Sequence, residues 1–212
     1  KKLASDFLSL KAAVKETDLI YLSGITASIF NNVGRNNILS CLRSAKTKGT
    51  RIAYDPNYRQ NLWSSPATMK KFTSEILALA DIILPTFEDE MKAFGDVGTK
   101  DTFKRLLELG CKEIVLKNGV QQTEAISFGQ MKNIDVEFVK VPKDTTGAGD
   151  SFNGAYLSAR LVGEDISSSV KRAQAVSSYV VMERGALVEH EALLKAFNSW
   201  PRQFRTKSTL NG

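Results

Sequence analysis

The sequence predicts an α/β fold built on a mostly parallel sheet. Short apolar runs that suit buried strands alternate with longer segments in which apolar residues recur at helical spacing. Each step from strand to helix to strand requires a right-handed crossover, which places the strands in parallel. The chain has 212 residues, enough to bury a substantial core. We therefore expect one α/β domain over residues 1–212, with helices on both faces of the sheet.

Turn and cap residues set several boundaries between these elements. Gly49 ends one helix, Ser65 caps another with Pro66 at its first position, and Gly95 and Gly98 separate two more. The predicted elements are helix 3–15, strand 18–22, helix 32–48, strand 51–55, helix 66–80, strand 81–85, helices 86–94 and 100–109, strand 112–117, strands 123–128 and 131–141, and helices 150–161, 166–183 and 189–198. The pair 123–128 and 131–141 flanks Gly129-Gln130 and predicts an antiparallel hairpin at the edge of the sheet.

Composition excludes several classes of protein. Cys41 and Cys111 lack Cys-x-x-Cys spacing, so we expect two ordinary thiols and neither a disulfide framework nor a thiolate metal site. The single histidine, His190, excludes zinc sites built on paired histidines and is expected to be solvated. No apolar run is long enough to span a bilayer, and no signal-peptide pattern opens the chain. A cytoplasmic protein that does not bind membranes is expected.

The charge balance favours anionic partners without choosing among them. The formal net charge is +6 and the pI is near 9.3, which suits nucleotides and sugar acids as well as nucleic acids. The most basic stretch, 202–207, follows Trp200-Pro201 near the end of the chain. We expect residues from about 199 to 212 to form a flexible tail, not a nucleic-acid-binding arm.

The segment with the strongest chemical signal is Asp144-Thr145-Thr146-Gly147-Ala148-Gly149-Asp150-Ser151-Phe152-Asn153-Gly154. Its small residues let the backbone approach a ligand, and the residues from Ser151 onward predict a helix. Free N–H groups at a helix start, with the helix dipole, suit a phosphate or a developing oxyanion. Asp150 lies at the mouth of this site, where a carboxylate either caps the helix or takes a proton from a hydroxyl. The pattern favours phosphoryl transfer.

The common nucleotide-binding fingerprints do not fit this segment. Gly149 and Gly154 have the glycine spacing of a Walker loop, but Ala155 stands where that loop needs lysine. A Rossmann fingerprint needs a third glycine where Phe152 stands.

Residues 144–157 instead resemble the C-terminal signature of the ribokinase-like (PfkB) carbohydrate kinases. The Asp-Thr opening, the Gly-Ala-Gly-Asp core and the small residues Gly154-Ala155 carry the resemblance. It implies a ribokinase-like fold and phosphoryl transfer from ATP with Mg²⁺. It also implies that the backbone N–H groups of Gly147, Ala148 and Gly149 form an anion hole, and that Asp150 is the base for the sugar hydroxyl.

A second informative segment runs from Asp55 to Trp63. Pro56 ends a strand, so Asn57 and Arg59 are presented from a loop, where the guanidinium of Arg59 suits a carboxylate or phosphate or forms a surface ion pair. Within the family, Asp-x-Asn-x-Arg-x-x-Leu-Trp resembles the 2-keto-3-deoxygluconate kinases. This resemblance implies that Arg59 contacts the substrate and that Asn57 lies near the phosphates. We expect Leu62 and Trp63 to be core residues.

The resemblance also implies a set of nucleotide-binding residues. Lys117 ends a strand and is expected either near the ATP phosphates or as a solvated lysine. Residues 173–181 and Arg184-Gly185-Ala186 resemble the wall of the adenine site, without implying individual contacts. The implied nucleotide-binding set is Lys117, Gly119, Gln122, Thr145, Gly147 and Gly149.

Two departures from the family pattern affect the site. The family usually has Asn-x-x-Glu after the third strand, but here Thr86 replaces the asparagine and either Asp89 or Glu90 supplies the acid. We expect no direct metal ligand, only an indirect role in Mg²⁺ binding for Asp89 or Glu90. Family members also carry a further N-terminal part with a lid over the sugar, which often mediates dimerisation. The resemblance thus implies that this chain is N-terminally truncated and lacks the lid, and it leaves a homo-oligomer of the complete protein open.

These residues predict an ATP-dependent kinase that phosphorylates a primary hydroxyl of a sugar acid. The resemblance indicates 2-keto-3-deoxygluconate as the substrate, with its 6-phosphate as product. One alternative is another kinase of the same family, such as a fructokinase or a ribokinase. Another is a non-catalytic regulator that binds a nucleotide or a sugar, against which the presence of Asp150 argues.

Overall fold

A computed structural model of the protein describes residue 4 and residues 6–136 and 141–199. Internal packing divides the chain into two compact units, which we treat separately. Unit 1 comprises residues 1–119 and 123–133, and unit 2 comprises residues 120–122 and 134–212. The single-domain organisation stays a prediction. From residue 200 onward the predicted tail lies outside the described residues.

Unit 1 contains most of the sheet and the helices between its strands. Its elements are α1 (Phe7–Ala13), β1 (Leu19–Ser23), α2 (Gly24–Ser28), α3 (Asn32–Lys46), β2 (Arg51–Asp55), a 3₁₀ turn (Gln60–Leu62), α4 (Pro66–Leu77), β3 (Ile82–Ile83), α5 (Phe87–Phe94), α6 (Thr99–Glu108), β4 (Glu113–Leu116), β5 (Thr123–Ser127) and β6 (Gln130–Ile134), whose last residue belongs to unit 2.

The six strands lie in the order β1-β2-β3-β4-β5-β6. The first four are parallel, with Ser23 paired to Asp55 and Ile83 paired to Ile114. β5 runs antiparallel to β4. The mostly parallel sheet with an antiparallel edge is therefore confirmed, because the helical connections allow parallel pairing while the short link after β4 does not.

Local sequence signals explain the boundaries. Ser65 accepts a hydrogen bond from the Thr68 N–H, and Pro66 occupies the first position of α4, as predicted. The hairpin turn lies one residue earlier than predicted, because Phe128 and Gly129 both take positive φ angles of 47° and 77°. Such a pair of positive angles suits a two-residue hairpin loop.

The core of unit 1 lies between the sheet and its helices. Ile52, Ile83 and Ile114 from the central strands are fully buried against residues of α3, α4 and α6. Trp63 is buried against Phe72, with ring centroids 6.1 Å apart, as predicted. The core prediction for Leu62 is wrong, since the 3₁₀ turn leaves its side chain exposed.

Unit 2 contains helices α7 (Ala148–Leu161), α8 (Ile166–Val180) and α9 (His190–Ser199). The first two pack together through buried side chains that include Phe152, Tyr156, Val170 and Val176. α7 begins at Ala148, earlier than predicted, because Gly147 takes a left-handed conformation and caps the helix. His190 is exposed, as predicted.

Among the helices of the described residues, none is long and apolar enough to cross a membrane. Cys41 and Cys111 are free thiols, as predicted, and both are buried.

Candidate active site

Polar residues of unit 1 meet where its parallel strands end. Ser23 and Asp55 end β1 and β2 and pair in register, and Thr86 and Lys117, which follow β3 and β4, form a parallel bridge. In parallel sheets, ligands bind beyond the carboxyl ends of the strands. Within unit 1, polar residues that end or follow the parallel strands therefore lie together at the carboxyl ends of those strands.

A close backbone approach shapes the loop after β2. A Cβ on Gly24 would lie 1.8 Å from the Pro56 carbonyl oxygen, so only glycine fits at this position. Next to it, Asn57 takes a positive φ of 36° and donates its side-chain amide to the Ser23 hydroxyl over 3.4 Å. The Asn57 N–H donates to the Asp55 carboxylate over 3.2 Å. These contacts hold Asn57, in the loop that leads to Arg59, at the carboxyl ends of β1 and β2.

Lys117 is drawn inward, not solvated. Its ammonium lies 3.5 Å from an Asp55 carboxylate oxygen, and only 11% and 4% of the two side chains are exposed. Backbone bonds hold the lysine on both sides: its N–H donates to the Pro85 carbonyl, and its carbonyl accepts from the Phe87 N–H, each over 2.9 Å. The positive charge of Lys117 is thereby fixed at the carboxyl end of β4.

Arg59 forms an ion pair with Asp89. One guanidinium nitrogen, Nη1, lies 3.1 and 3.2 Å from the two Asp89 oxygens and also donates to the Tyr58 carbonyl over 2.6 Å. Half of the Arg59 side chain is exposed, whereas only 14% of Asp89 is. Burial raises the pKa of Asp89, and the neighbouring Arg59 opposes that shift. The surface ion pair predicted as an alternative for Arg59 is thus present in the structure.

Asp89 and Glu90 are adjacent in α5 but occupy different environments. Glu90 is fully buried, and its carboxylate accepts from the Arg105 guanidinium over 2.7 Å. Arg105 also donates to Asp96 and stacks over the Phe94 ring at 4.0 Å. Burial raises the pKa of Glu90 to about 7, against the opposing effect of Arg105. Of the two predicted acids, Asp89 lies beside Arg59, and Glu90 lies in the interior.

Unit 2 holds the loop that the sequence singled out, residues 144–150, hereafter the Gly147 loop. Gly147 has φ 79°, and a Cβ there would lie 2.7 Å from the Ala186 Cβ. The Ser151 N–H donates to the Gly147 carbonyl, which makes it the first bond of the α7 ladder. The N–H groups of Gly149 and Asp150 precede that bond, at the positive end of the helix dipole. The geometry of an anion-binding terminus is therefore present.

Individual residues of the Gly147 loop differ in their state. Ala148 already donates its N–H to the Thr145 carbonyl over 3.2 Å. Thr145 and Asp150 are exposed, and Asp150 is the third residue of α7. A carboxylate at that position is open to solvent within the first turn of the helix. The catalytic and binding roles of these residues stay predictions.

The remaining predicted nucleotide residues lie in the link between β4 and β5. Gly119, in unit 1, takes a positive φ of 59° in the turn after β4. Gln122, in unit 2, is exposed and donates its amide to the Asp135 carboxylate over 2.8 Å.

Asp144 has structural contacts that the sequence pattern does not predict. One of its carboxylate oxygens accepts the Thr146 N–H and the other accepts the Gly185 N–H, each over 2.9 Å. The hydrogen bonds from Thr146, with that from Gly185, hold the pKa of Asp144 below its usual value. No local signal identifies the second partner, because it lies 41 residues away.

Residues 1–192 match the pfkB family carbohydrate kinases. Because the match covers most of the chain, the chain belongs to this family. The family prediction from the loop signature is confirmed.

The chain is similar to two kinases that share one name. The chain is 36% identical over 180 residues to 2-dehydro-3-deoxygluconokinase of Escherichia coli strain K12, covering 83% of this chain and 58% of that protein. It is 34% identical over 189 residues to 2-dehydro-3-deoxygluconokinase of Dickeya dadantii, covering 87% of this chain and 61% of that protein. The chain thus spans about three fifths of the length of the relatives it matches.

Solved structures show the fold. Fructokinase from Vibrio cholerae O395, in its fructose-, ADP- and calcium-bound form, superposes with a TM-score of 0.76 at 22% identity, covering 85% of this chain and 61% of that one. The predicted ribokinase-like α/β fold is confirmed.

Proposed function

We propose that the complete protein transfers a phosphoryl group from ATP to a primary hydroxyl of a sugar acid. The proposed substrate is 2-keto-3-deoxygluconate, also called 2-dehydro-3-deoxygluconate, and the product is its 6-phosphate. The observation that carries the proposal is the Gly147 loop, which presents helix-terminal N–H groups beside the exposed carboxylate of Asp150. The relatives named 2-dehydro-3-deoxygluconokinase support the choice of substrate.

In the proposed reaction, Asp150 accepts the proton of the attacking hydroxyl. The hydroxyl oxygen then forms a bond to the γ-phosphorus while the bond to the ADP oxygen breaks. The N–H groups of Gly147, Ala148 and Gly149 stabilise the negative charge on the transferred group. Ala148 must exchange its bond to Thr145 to join them. Transfer of this kind depends mainly on positioning and charge stabilisation, so a loop and one carboxylate suffice.

The proposal assigns roles to further residues. Arg59 binds the acid group of the sugar, because a guanidinium pairs with a carboxylate through two parallel bonds. Asn57 and Lys117 are proposed to bind near the phosphates. Gly119, Gln122 and Thr145 contribute to the nucleotide site. The same proposal includes a cytoplasmic location, no nucleic-acid partner, and a homo-oligomer of the complete protein.

The residues fit Mg²⁺ carried by ATP. Within the described residues, no group of three or more His, Cys, Asp or Glu side chains could hold a metal ion. Mg²⁺ is commonly bound by one or two carboxylates together with phosphates and water. A single protein carboxylate beside the phosphates of ATP therefore suits this ion. Asp89 is the carboxylate proposed to assist it, since Glu90 is buried against Arg105. The ion supplies neutralisation of the phosphate charge.

A fructokinase is the second candidate, and the ion pair of Arg59 with Asp89 is the observation that favours it. Because Asp89 already neutralises the charge of Arg59, this arginine does not need a carboxylate of the substrate as its partner. ATP consumption by the complete natural protein, measured with 2-keto-3-deoxygluconate, gluconate, fructose and ribose, separates the two. The proposal expects the highest kcat/KM with 2-keto-3-deoxygluconate. A preference for fructose would overturn the choice of substrate, and inactivity with the whole panel would favour a non-catalytic binding protein.

A further inference from the structure

The loop that carries Arg59, residues 55–63 and hereafter the Arg59 segment, lies beside a buried arginine that the proposed function does not use. Only 7% of Arg35 is exposed, and its guanidinium forms no salt bridge within the described residues. Burial lowers the pKa of Arg35. Because a buried charge without a counter-charge is costly, other polar and aromatic groups must stabilise this guanidinium.

Backbone carbonyls at the end of α2 supply part of that stabilisation. The Arg35 Nε donates to the Ala27 carbonyl and Nη2 donates to the Ser28 carbonyl, each over 3.2 Å. These two residues end α2, where carbonyls lack partners within the helix and the helix dipole is negative. Nη1 donates to the Asn32 side chain, also over 3.2 Å. Arg35 thus joins the end of α2 to the start of α3.

The same guanidinium lies over the last residue of the Arg59 segment. Its central carbon is 5.2 Å from the centroid of the Trp63 ring. A guanidinium over an indole gains cation–π attraction, and the gain is larger where water is excluded. Trp63 also packs against Phe72 of α4. The end of the segment is therefore held between α3 and α4.

Helix α2 also holds the first residues of the Arg59 segment. It begins at Gly24, where the Pro56 carbonyl oxygen lies too close for any Cβ. Ser23, which caps α2, accepts the side-chain amide of Asn57 over 3.4 Å. The buried guanidinium fixes the end of α2, and the start of α2 contacts the start of the segment. Both ends of the segment are thus connected to one side chain.

We propose that Arg35 is a positioning residue for recognition of the sugar acid. It holds the Arg59 segment at both ends, through α2 and through Trp63, and so sets where the Arg59 guanidinium meets the acid group of the substrate. Two parallel bonds to a carboxylate require a fixed orientation of the guanidinium, so a loosened segment weakens them. The kinetic part of this inference rests on the proposed function. The structural part, the order of the segment, does not.

The chain offers a matched control on the same helix. Arg43 lies about two turns further along α3 and forms an exposed ion pair with Glu75. Methionine at either position keeps an unbranched, flexible side chain and removes the charge. Arg35→Met and Arg43→Met therefore remove the same group from one helix, but only the first one releases the Arg59 segment.

Steady-state kinetics of the complete natural protein test the role in recognition. For Arg35→Met we expect kcat/KM for 2-keto-3-deoxygluconate to fall about tenfold, because Arg59 keeps its charge but loses its fixed orientation. The loss should lie mainly in KM, since ground-state and transition-state binding weaken alike. With fructose, which has no carboxylate, the change should stay below about threefold. Arg43→Met should keep both values within about twofold.

Amide hydrogen exchange of the same variants tests the order of the segment independently of activity. The N–H groups of Asn57, Leu62 and Trp63 all donate within the segment, so loosening it opens them to exchange. We expect deuterium uptake over residues 57–63 to rise in Arg35→Met and to stay unchanged in Arg43→Met. Arg35→Lys keeps the charge without the planar fork, so it should recover part of the protection and of kcat/KM.

Each measurement has a result that would contradict the proposal. An equal loss of kcat/KM with both sugars would overturn the role in recognition, and equal uptake at 57–63 in the two methionine variants would overturn the positioning of the segment. If Arg35→Met does not fold, Arg35→Lys carries the same comparison. If the unmodified protein phosphorylates neither sugar, the proposed function fails, and hydrogen exchange alone decides the role of Arg35.

Discussion

Unit 1 and unit 2 offer anions two different kinds of positive charge. In unit 1 the charges belong to Arg59 and Lys117, and each is already paired with an aspartate. In unit 2 the charge comes from backbone N–H groups of the Gly147 loop, with the helix dipole behind them. Both side-chain charges must exchange partners to bind a ligand, and among the backbone donors Ala148 must exchange its bond to Thr145, but the helix dipole is fixed by the fold. Under the proposed function, we infer that the side chains of unit 1 set selectivity and that the backbone donors of unit 2 accelerate transfer.

The largest expected effect tests the backbone half of this comparison. Gly147→Ala places a Cβ 2.7 Å from Ala186 at a φ of 79°. We expect kcat to fall by at least about 10²-fold, because the loop must shift and its donors with it. Steady-state kinetics of the complete protein measure the loss.

Gly163→Ala is the control for this variant. Gly163 has a similar φ of 84°, but nothing lies within 4 Å of its Cβ position. Gly163→Ala therefore introduces the backbone strain, which costs roughly 1–2 kcal/mol of stability, without a collision of the new Cβ. Similar kcat values for the two variants would remove the argument that the contact with Ala186 shapes the site.

The second prediction concerns the pH dependence of stability that the buried carboxyl of Glu90 causes. Burial raises the pKa of Glu90 to about 7, so the folded chain holds this proton more tightly than the unfolded chain does. The resulting stability is present below a pH of about 4.5 and is lost as the pH rises through about 7. We expect Glu90→Gln to reduce the difference in unfolding free energy between about pH 4.5 and pH 8 by about 3 kcal/mol.

Denaturant unfolding at a series of pH values measures this difference. Glu88→Gln is the matched control on the same helix, because Glu88 is exposed and a hydrogen bond from Lys92 lowers its pKa. Glu88→Gln should not reduce the difference in unfolding free energy between about pH 4.5 and pH 8. Identical profiles for Glu90→Gln and the unmodified protein would show that the buried carboxyl does not titrate in this range.

The third prediction tests the selectivity assigned to unit 1. Arg59→Ala removes a charge-assisted contact worth about 1.5–3 kcal/mol, so kcat/KM for 2-keto-3-deoxygluconate should fall roughly ten- to a hundredfold. Fructose lacks the carboxylate and should be affected much less. Arg43→Ala, which breaks an exposed ion pair with Glu75, serves as the control. An equal loss with both sugars would argue against recognition of the acid group.

Much of the fold could be predicted because its signals are local. Apolar periodicity separates helices from strands, and Ser65, Pro66 and Gly49 mark boundaries within one turn of chain. The Gly147 loop was found in the same way, since its residues are contiguous. The predicted start of α7 lies two to three residues too late, because the sequence does not determine the left-handed φ of Gly147.

The rest of the site depends on tertiary contacts that sequence does not encode locally. Asp89 and Glu90 are neighbours, and their separation into an ion pair with Arg59 and a buried pair with Arg105 depends on how α5 packs. The inward position of Lys117 depends on Asp55, 62 residues away. The bridge from Asp144 to Gly185 is of the same kind. Such pairings require the fold before they can be predicted.

The central claim is that the Gly147 loop and Asp150 perform phosphoryl transfer. Its most direct test is Asp150→Asn in the complete natural protein, with kcat measured on 2-keto-3-deoxygluconate and ATP binding measured by calorimetry. The account predicts a fall in kcat of about 10²- to 10⁴-fold with ATP binding retained, because the variant loses the base and keeps the backbone donors. Full activity in this variant would contradict the account.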